Sequence, residues 1–177
     1  MRRSLGILIL GAGGIMAWFG FRKTNAGDVT APAIDSFPVG EIDNRPATVR
    51  ANNPGAILYN GNPNYWNGQD GYIEAADTLA FFTEPVMGAR AMVRSMRTRQ
   101  SREGVRTIFE IINGWSGGEN SIGYANYVAD KLGVTKETPW SVTSDTKAAQ
   151  LAYHMSSWET GQYYFSYATF LEGARRA

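Results

Sequence analysis

The sequence predicts a mainly helical domain with one small β-hairpin, preceded by an N-terminal transmembrane helix. Three observations lead to this fold class: an uncharged apolar run near the N-terminus, a turn-rich segment followed by two short apolar stretches, and apolar residues that recur at helical spacing in the second half of the chain. They divide the 177 residues into an anchor at residues 1–23, an extended tether at residues 24–49 and a globular domain at residues 50–177.

The transmembrane helix is predicted from the apolar run, which begins at Leu5, ends at Phe21 and contains no charged residue. As an α-helix it would be about 25 Å long, and the basic pairs on both sides can extend it by snorkelling towards the roughly 30 Å of a hydrocarbon core. A cleaved secretory signal and a buried helix of a water-soluble domain are the alternatives. We favour the anchor because no small-x-small cleavage site follows directly and a buried helix would need a core around all its faces. The implied partner is a lipid bilayer.

A tether, a turn-rich loop and one hairpin are predicted before the helices. Residues 24–49 contain three prolines and no regular periodicity, which is typical of an extended tether. Residues 52–68 are rich in Asn, Pro and Gly, which favour tight turns because Asn and Gly accept positive φ while Pro fixes φ. From Gln69 to Phe82, apolar residues flank a polar centre, which indicates a β-hairpin.

Four helices are predicted after the hairpin. The first is capped by Thr83 and buries a stripe of apolar residues, namely Ala89, Met92, Val93 and Met96. The second and third are expected at residues 105–115 and 119–132, the third with Ile122 facing the core. The fourth is expected from a cap at residue 143 or 144 to about residue 159, and a final aromatic segment follows it.

Several polar residues on these helices have two interpretations. Arginines at positions 90, 94, 97, 99 and 102 form either a solvated helix surface or a basic strip that faces phosphates of lipid headgroups or of anionic wall polymers. Glu119 and Asn120 either cap a helix N-terminus or belong to an active site. His154 lies beside an apolar stripe, which favours a core or interfacial histidine over a catalytic one.

The composition excludes several kinds of site. The chain has no cysteine and one histidine, so it lacks the ligands for a thiolate or histidine-cluster metal site. Phosphate-loop and dinucleotide-binding fingerprints are absent. Apart from the four basic residues that flank the apolar run, 13 basic side chains stand against 16 acidic ones, which gives no global support for a nucleic-acid partner. We therefore predict no metal, no cofactor and no nucleic-acid binding.

A set of spaced motifs in residues 50–134 resembles a family of small bacteriophage and prophage virion structural proteins with an Asn-Asn-Pro-Gly motif. The motifs are Arg50-x-Asn52-Asn53-Pro54-Gly55-Ala56-Ile57, Trp66-x-Gly68, Phe82 with Gly88-x-Arg90-Ala91, Thr107-x-x-x-Ile111-Ile112-x-x-Trp115 and Glu119-Asn120-x-x-x-Tyr124. Such proteins are distantly similar to lysozyme-like muramidases and glucosaminidases. The resemblance implies a lysozyme-like α+β domain, mostly helical with a small β-wing.

The expected acid glutamate is the main departure from those hydrolases, in which it lies on a helix before the turn-rich loop. Here residues 40–49 contain only Glu41 and Asp43, in a segment broken by proline. Glycoside cleavage needs a carboxyl that apolar surroundings keep protonated. The acidic residues in aromatic settings are Asp70, Glu74, Asp77, Glu119 and Glu159, and we take Glu119 and Glu74 as catalytic candidates.

Candidate substrate-binding residues are the amide and aromatic side chains in or near the matching motifs. They are Asn52, Asn53, Tyr59, Trp66, Trp115, Asn120 and Tyr124. The leading hypothesis is a membrane-anchored virion structural protein, in a viral internal or envelope membrane, whose outer domain engages peptidoglycan during entry beside other virion or membrane proteins. The alternatives are an active virion-associated peptidoglycan glycosidase, of the muramidase or lytic transglycosylase type, and a non-catalytic scaffold protein of the bacterial envelope at the inner membrane.

Overall fold

The computed structural model describes residues 43–118 and 120–177, and these residues form six helices and one pair of strands. A short helix, α1, comes first and is followed by the two strands and five longer helices. The elements are α1 (Ala47–Arg50), β1 (Gln69–Ile73), β2 (Leu79–Phe82), α2 (Pro85–Glu103), α3 (Ile108–Trp115), α4 (Ser121–Lys131), α5 (Asp145–Thr160) and α6 (Tyr167–Arg176).

The predicted transmembrane helix is the part of the fold class that the structure corrects. Among the described residues, no helix is both long enough and apolar enough to cross a membrane. The longest helix, α2, has 19 residues but carries five arginines, and charged side chains are costly to place in lipid. The predicted anchor at residues 1–23 lies outside the described residues. The membrane-anchored fold is therefore corrected to a mainly helical domain with a two-stranded antiparallel sheet.

The end of the predicted tether is helical. Residues 47–49 belong to α1, and Val49 is 1% exposed and packs into the main core. The rest of the predicted tether up to residue 42 lies outside the described residues. The folded part of the chain thus includes Val49, ahead of the turn-rich loop.

The predicted hairpin is confirmed. Strands β1 and β2 are antiparallel, with Tyr72 opposite Ala80, and the register is irregular between Gln69 and Tyr72. Strand β2 is mostly buried, whereas β1 has exposed positions. We refer to residues 58–82, which contain the second part of the turn-rich loop and both strands, as the β-wing.

The turn-rich loop is held against the hairpin by the fully buried side chain of Asn53. Its Nδ2 donates to the carbonyl oxygens of Ile57 at 2.8 Å and Ala80 at 2.9 Å, and its Oδ1 accepts from the Ile57 amide at 2.9 Å. Asn52 adds a hydrogen bond from Nδ2 to the carbonyl oxygen of Phe82 at 2.9 Å. A buried amide without partners would be costly, so these bonds determine one path for the loop.

Helix α2 lies at the centre of the domain and packs against α3, α5 and α6. All four residues of its predicted apolar stripe are fully buried, which confirms the stripe. The side chains that complete the core are Ile108, Ile111 and Ile112 of α3, Val128 of α4, Leu151 and Met155 of α5, and Phe170 of α6.

Helix α6 approaches α2 most closely at Gly173. A Cβ at this position would lie 2.8 Å from the Cβ of Ala89 and 2.9 Å from the backbone nitrogen of Arg90. Contacts this short do not occur between packed atoms, so a larger residue would push the two helices apart.

The caps of α2 and α3 differ from the sequence prediction. The N-cap of α2 is Glu84, while Thr83 donates from Oγ1 to the carbonyl oxygen of Gly68 at 3.3 Å. Helix α3 begins at Ile108, later than predicted, because Thr107 and Glu110 form a capping box there.

Helix α4 buries Ala125 and Val128 as the apolar pattern predicts, but not Ile122. Ser121, Tyr124 and Val128 are buried, whereas Ile122 is 62% exposed. The inward face therefore begins with a polar residue, which a pattern of apolar residues does not detect.

His154 of α5 is half-buried and its Nδ1 lies 2.8 Å from the Tyr163 hydroxyl, which confirms an interfacial histidine.

We expect Gly173→Val to reduce the free energy of unfolding by about 2–4 kcal/mol, since valine would separate α6 from α2. Urea denaturation of the full chain measures this change. Ala168→Val is the matched control, because it introduces the same side chain at an exposed position of α6 and should cost less than about 1 kcal/mol. Equal losses in the two variants would contradict the close approach at Gly173.

Candidate functional site

A groove runs along α2 beneath the loop that precedes β1. It consists of two adjoining cavities of about 210 Å³ and about 710 Å³. Trp66, Ser95 and Arg99 line both cavities, so the two form one continuous groove. The dimensions suit an extended ligand that occupies several successive positions.

The smaller cavity is aromatic. Trp66 of the β-wing and Trp115 at the end of α3 line it, together with backbone and side chains of residues 55–58. Gly55 lets the loop approach the indole, because a Cβ there would lie 2.8 Å from Cζ2 of Trp115 and 3.1 Å from Cγ of Met92. The position of Trp115 therefore depends on a glycine in the Asn-Asn-Pro-Gly motif.

The larger cavity is cationic. Its lining includes four arginines from successive turns of α2, one acidic residue, and three residues of the β-wing on the opposite side. These are Arg90, Arg94, Arg99, Arg102, Glu103, Tyr65, Trp66 and Asn67. Positive charge in a partly enclosed groove raises the local concentration of anions.

Arg99 joins the two cavities and is fixed in place. Its Nη1 donates to the carbonyl oxygen of Gly114 and lies 3.8 Å from Oε2 of Glu103. Gly114 precedes Trp115, so Arg99 also connects α2 to the end of α3 that carries the indole. The partly buried guanidinium thus has a defined orientation between the aromatic and cationic parts of the groove.

Arg97 does not belong to the groove, although the sequence groups it with the other arginines. Its Nε donates to the carbonyl oxygen of Val142 at 2.8 Å, its Nη1 to that of Ala174 at 3.0 Å, and its Nη2 pairs with Asp145 at 2.7 Å. The arginines of α2 therefore have two roles, one in cross-linking the helices and one in lining the groove.

A partly buried carboxyl lies behind Trp115, which lines the aromatic cavity. Oε1 of Glu159 on α5 accepts a hydrogen bond of 2.9 Å from the hydroxyl of Tyr124 on α4. Burial raises the pKa of Glu159, and hydrogen bonds from Tyr124 and Trp115 partly offset that increase. Burial, with the nearby Glu159 charge, also raises the pKa of Tyr124. Glu159 thus contacts Trp115, which lines the cavity.

The structure brings three of the predicted substrate-binding residues together and separates the others. Trp66 and Trp115 line the groove, and Tyr124 lies beside Trp115 through Glu159. Asn52 and Asn53 hold the turn-rich loop by the hydrogen bonds described above, so both support the groove from within the fold.

Three other predicted site residues, Tyr59, Asn120 and Glu74, do not line the groove. Tyr59 stacks on Tyr72 in the β-wing with ring centres 4.7 Å apart. Asn120 is exposed and is the N-cap of α4, with a φ of 46° and no capping hydrogen bond from its side chain. Glu74 is exposed just after β1, and Glu119 lies outside the described residues.

Ser95 and Glu159 are two residues of the site that sequence reasoning did not select. Nothing in the pattern distinguishes Ser95 from other polar helix residues. For Glu159 the signal is its aromatic neighbourhood, but the contact with Tyr124 spans 35 residues and depends on how α4 packs against α5.

No protein-family model matches the chain, and no curated protein sequence matches it.

We expect Glu159→Gln to change how stability depends on pH. Because the pKa of Glu159 is raised in the folded protein, the folded state holds this proton more tightly than the unfolded chain, and stability decreases as pH rises above the ordinary pKa of 4.5. The variant should therefore gain stability relative to the unmutated protein at pH 7, and this gain should disappear near pH 4. Urea denaturation across this range measures the difference.

The exposed residue Glu74 provides the control for that experiment. Glu74→Gln removes the same charge from a solvent-exposed position, so its effect on stability should stay small throughout. A Glu159→Gln protein that is equally destabilised at both pH values would show that the carboxylate is not held at an energetic cost.

Proposed function

We propose that residues 43–177 form a lysozyme-like domain of a virion structural protein and that this domain binds the glycan of peptidoglycan in the groove along α2. The observation that carries the proposal is that Trp66 and Trp115, from separate elements, line one narrow cavity that continues into a longer polar groove. Indole faces suit the apolar faces of sugar rings, while the polar part of the groove suits their substituents.

The aromatic cavity is organised before any ligand binds. Trp115 is held between Gly55 on one side and the Glu159 and Tyr124 pair on the other. Arg99 fixes the preceding residue, Gly114, through its carbonyl oxygen. A side chain that is already ordered loses little entropy on binding, so these contacts favour affinity for a rigid ligand such as a glycan strand.

Polar groups at the junction of the two cavities match the substituents of amino sugars. At the junction, Ser95 offers a hydroxyl and Arg99 offers guanidinium N–H donors, and in the adjoining larger cavity Asn67 offers an amide. Hydroxyl and acetamido groups need both donors and acceptors within a short distance. This mixture of hydrogen-bond donors and acceptors suits a saccharide better than a wholly apolar ligand.

The resemblance to virion proteins supports the same assignment. Two residues of the matching loop motif shape the cavity. Asn53 holds the loop against the hairpin by its hydrogen bond, and Gly55 leaves room for the indole of Trp115. Trp66 and Trp115, which belong to two further matching motifs, line that cavity. Four of the residues that carry the resemblance therefore line or support the proposed binding site.

We expect Trp66→Ala to weaken binding of soluble peptidoglycan glycan strands about tenfold or more, because it removes one of two stacking surfaces. Isothermal titration calorimetry on the full chain measures the dissociation constant. Tyr72→Ala is the control, since Tyr72 is an exposed aromatic residue of the β-wing that does not line the groove. Unchanged binding by the Trp66 variant would exclude the groove as the glycan site.

A peptidoglycan glycosidase is the second candidate function, and Glu159 favours it. A carboxyl with a raised pKa in aromatic surroundings is what a general acid requires. Glu159 also touches an indole that lines the proposed sugar site. Glu119 and Glu74 remain the candidates from the sequence, and Glu74 is exposed outside the groove.

Zymography on peptidoglycan distinguishes binding from cleavage. If the domain is a glycosidase, the full chain should clear the gel, and Glu159→Gln should lower the rate at least 100-fold while glycan binding persists. Glu74→Gln serves as the control variant. Absence of clearing by the unmutated protein, with binding intact, leaves the binding function alone.

A further inference from the structure

Four arginines of α2 line the groove and follow one another along the helix as a row. Arg90 and Arg102 mark its ends, and at 1.5 Å per residue the row is about 18 Å long. Tyr65, Trp66 and Asn67 face it across the cavity. The row is thus one wall of an elongated cleft rather than an open helix surface.

The row retains unneutralised positive charge. Arg90 donates one hydrogen bond to the carbonyl oxygen of Arg176 at 2.9 Å, and Arg94 donates one to an oxygen of Ala177 at 3.1 Å, so each guanidinium keeps further N–H donors. Glu103 is the one acidic residue in the described lining of the cavity, and it lies nearest to Arg99. Arg102 is exposed and makes no ion pair with any described residue. A ligand can therefore use N–H donors of at least three arginines.

We infer that this row binds the phosphodiester groups of a linear, phosphate-bearing wall polymer, while Trp66 and Trp115 take sugar rings of the attached glycan. The inference rests on the proposed glycan-binding function, and it assigns a ligand to the larger, cationic cavity of the same groove. Guanidinium groups bind phosphate through paired, charge-assisted hydrogen bonds. Successive arginines about 6 Å apart along the helix suit repeated anions on one chain rather than a single small anion.

Single-stranded nucleic acid is the competing polyanion, because it also combines phosphates with rings that stack. The charge of the whole domain argues against it, since residues 43–177 carry equal numbers of basic and acidic side chains. The cationic surface is confined to one short groove that ends in a cavity of about 210 Å³ between two indoles. The two ligands are compared directly in the experiment.

The test measures binding of the full chain to purified walls of a Gram-positive bacterium in three forms. One form is intact, one has lost its phosphodiester polymers by treatment with hydrofluoric acid, and one has its carboxyl groups amidated with carbodiimide. We expect about tenfold weaker binding to the acid-treated walls and little change on amidation. An oligonucleotide competitor should displace the protein poorly from intact walls.

Variants assign the effect to the row. Arg94→Gln combined with Arg102→Gln should reduce binding to intact walls about tenfold and should not affect binding to acid-treated walls. Arg106→Gln combined with Arg175→Gln removes the same charge from exposed positions outside the groove and is the matched control. Arg102→Gln alone, at a residue without a described ion pair, should give part of the effect without loss of stability, which thermal unfolding checks.

The outcomes separate the two proposals. Equal binding to intact and acid-treated walls would overturn the phosphodiester assignment while the glycan-binding function stands. Loss of binding only on amidation would show that the row binds carboxylates and not phosphates. Efficient displacement by the oligonucleotide would show that the ligand is nucleic acid. Either result overturns the inference. Binding to no form of the wall would overturn the proposed function itself.

Discussion

The contact between the turn-rich loop and α2 is the constraint on which the rest of the structure depends. A Cβ at Gly88 would lie 2.1 Å from the carbonyl oxygen of Asn52 and 2.8 Å from Cδ of Pro54, so the loop and the helix touch through backbone atoms. Asn53 then ties this loop to β2 through its buried amide. Because the loop cannot move away from α2, the β-wing is held over the groove and Gly55 meets Trp115.

This constraint explains why binding groups from distant parts of the sequence converge. Trp66 comes from the β-wing, Trp115 from the end of α3, and the arginines from α2. None of these elements could present the groove alone, since each supplies one wall. The Glu159 and Tyr124 pair adds a second layer behind Trp115, where partial burial strengthens the hydrogen bond between them.

Local patterns in the sequence predicted the helices and strands better than they predicted the contacts between them. The hairpin and the apolar stripe of α2 follow from alternation and helical spacing, and both are found. Apolar periodicity placed Ile122 of α4 in the core, although Ile122 is exposed and Ser121 is buried. The uncharged apolar run predicted a transmembrane helix, and no described helix is long and apolar enough to cross a membrane. Of the site, Trp66 and Trp115 were predicted from residue type and motif. Ser95 and Glu159 were not, because only the packing of α2 and of α4 with α5 gives them their surroundings.

Helix α2 serves the domain on two faces at once. On its inner face, α2 packs closely against the loop at Gly88 and against Gly173 of α6. Substitutions at these contacts therefore disturb the whole fold. Its outer face carries Arg94, Thr98 and Arg102, whose side chains line a cleft and bear little of the packing. Ligand preference can therefore diverge among descendants of this protein by exchange of outward side chains alone, on an architecture that stays unchanged.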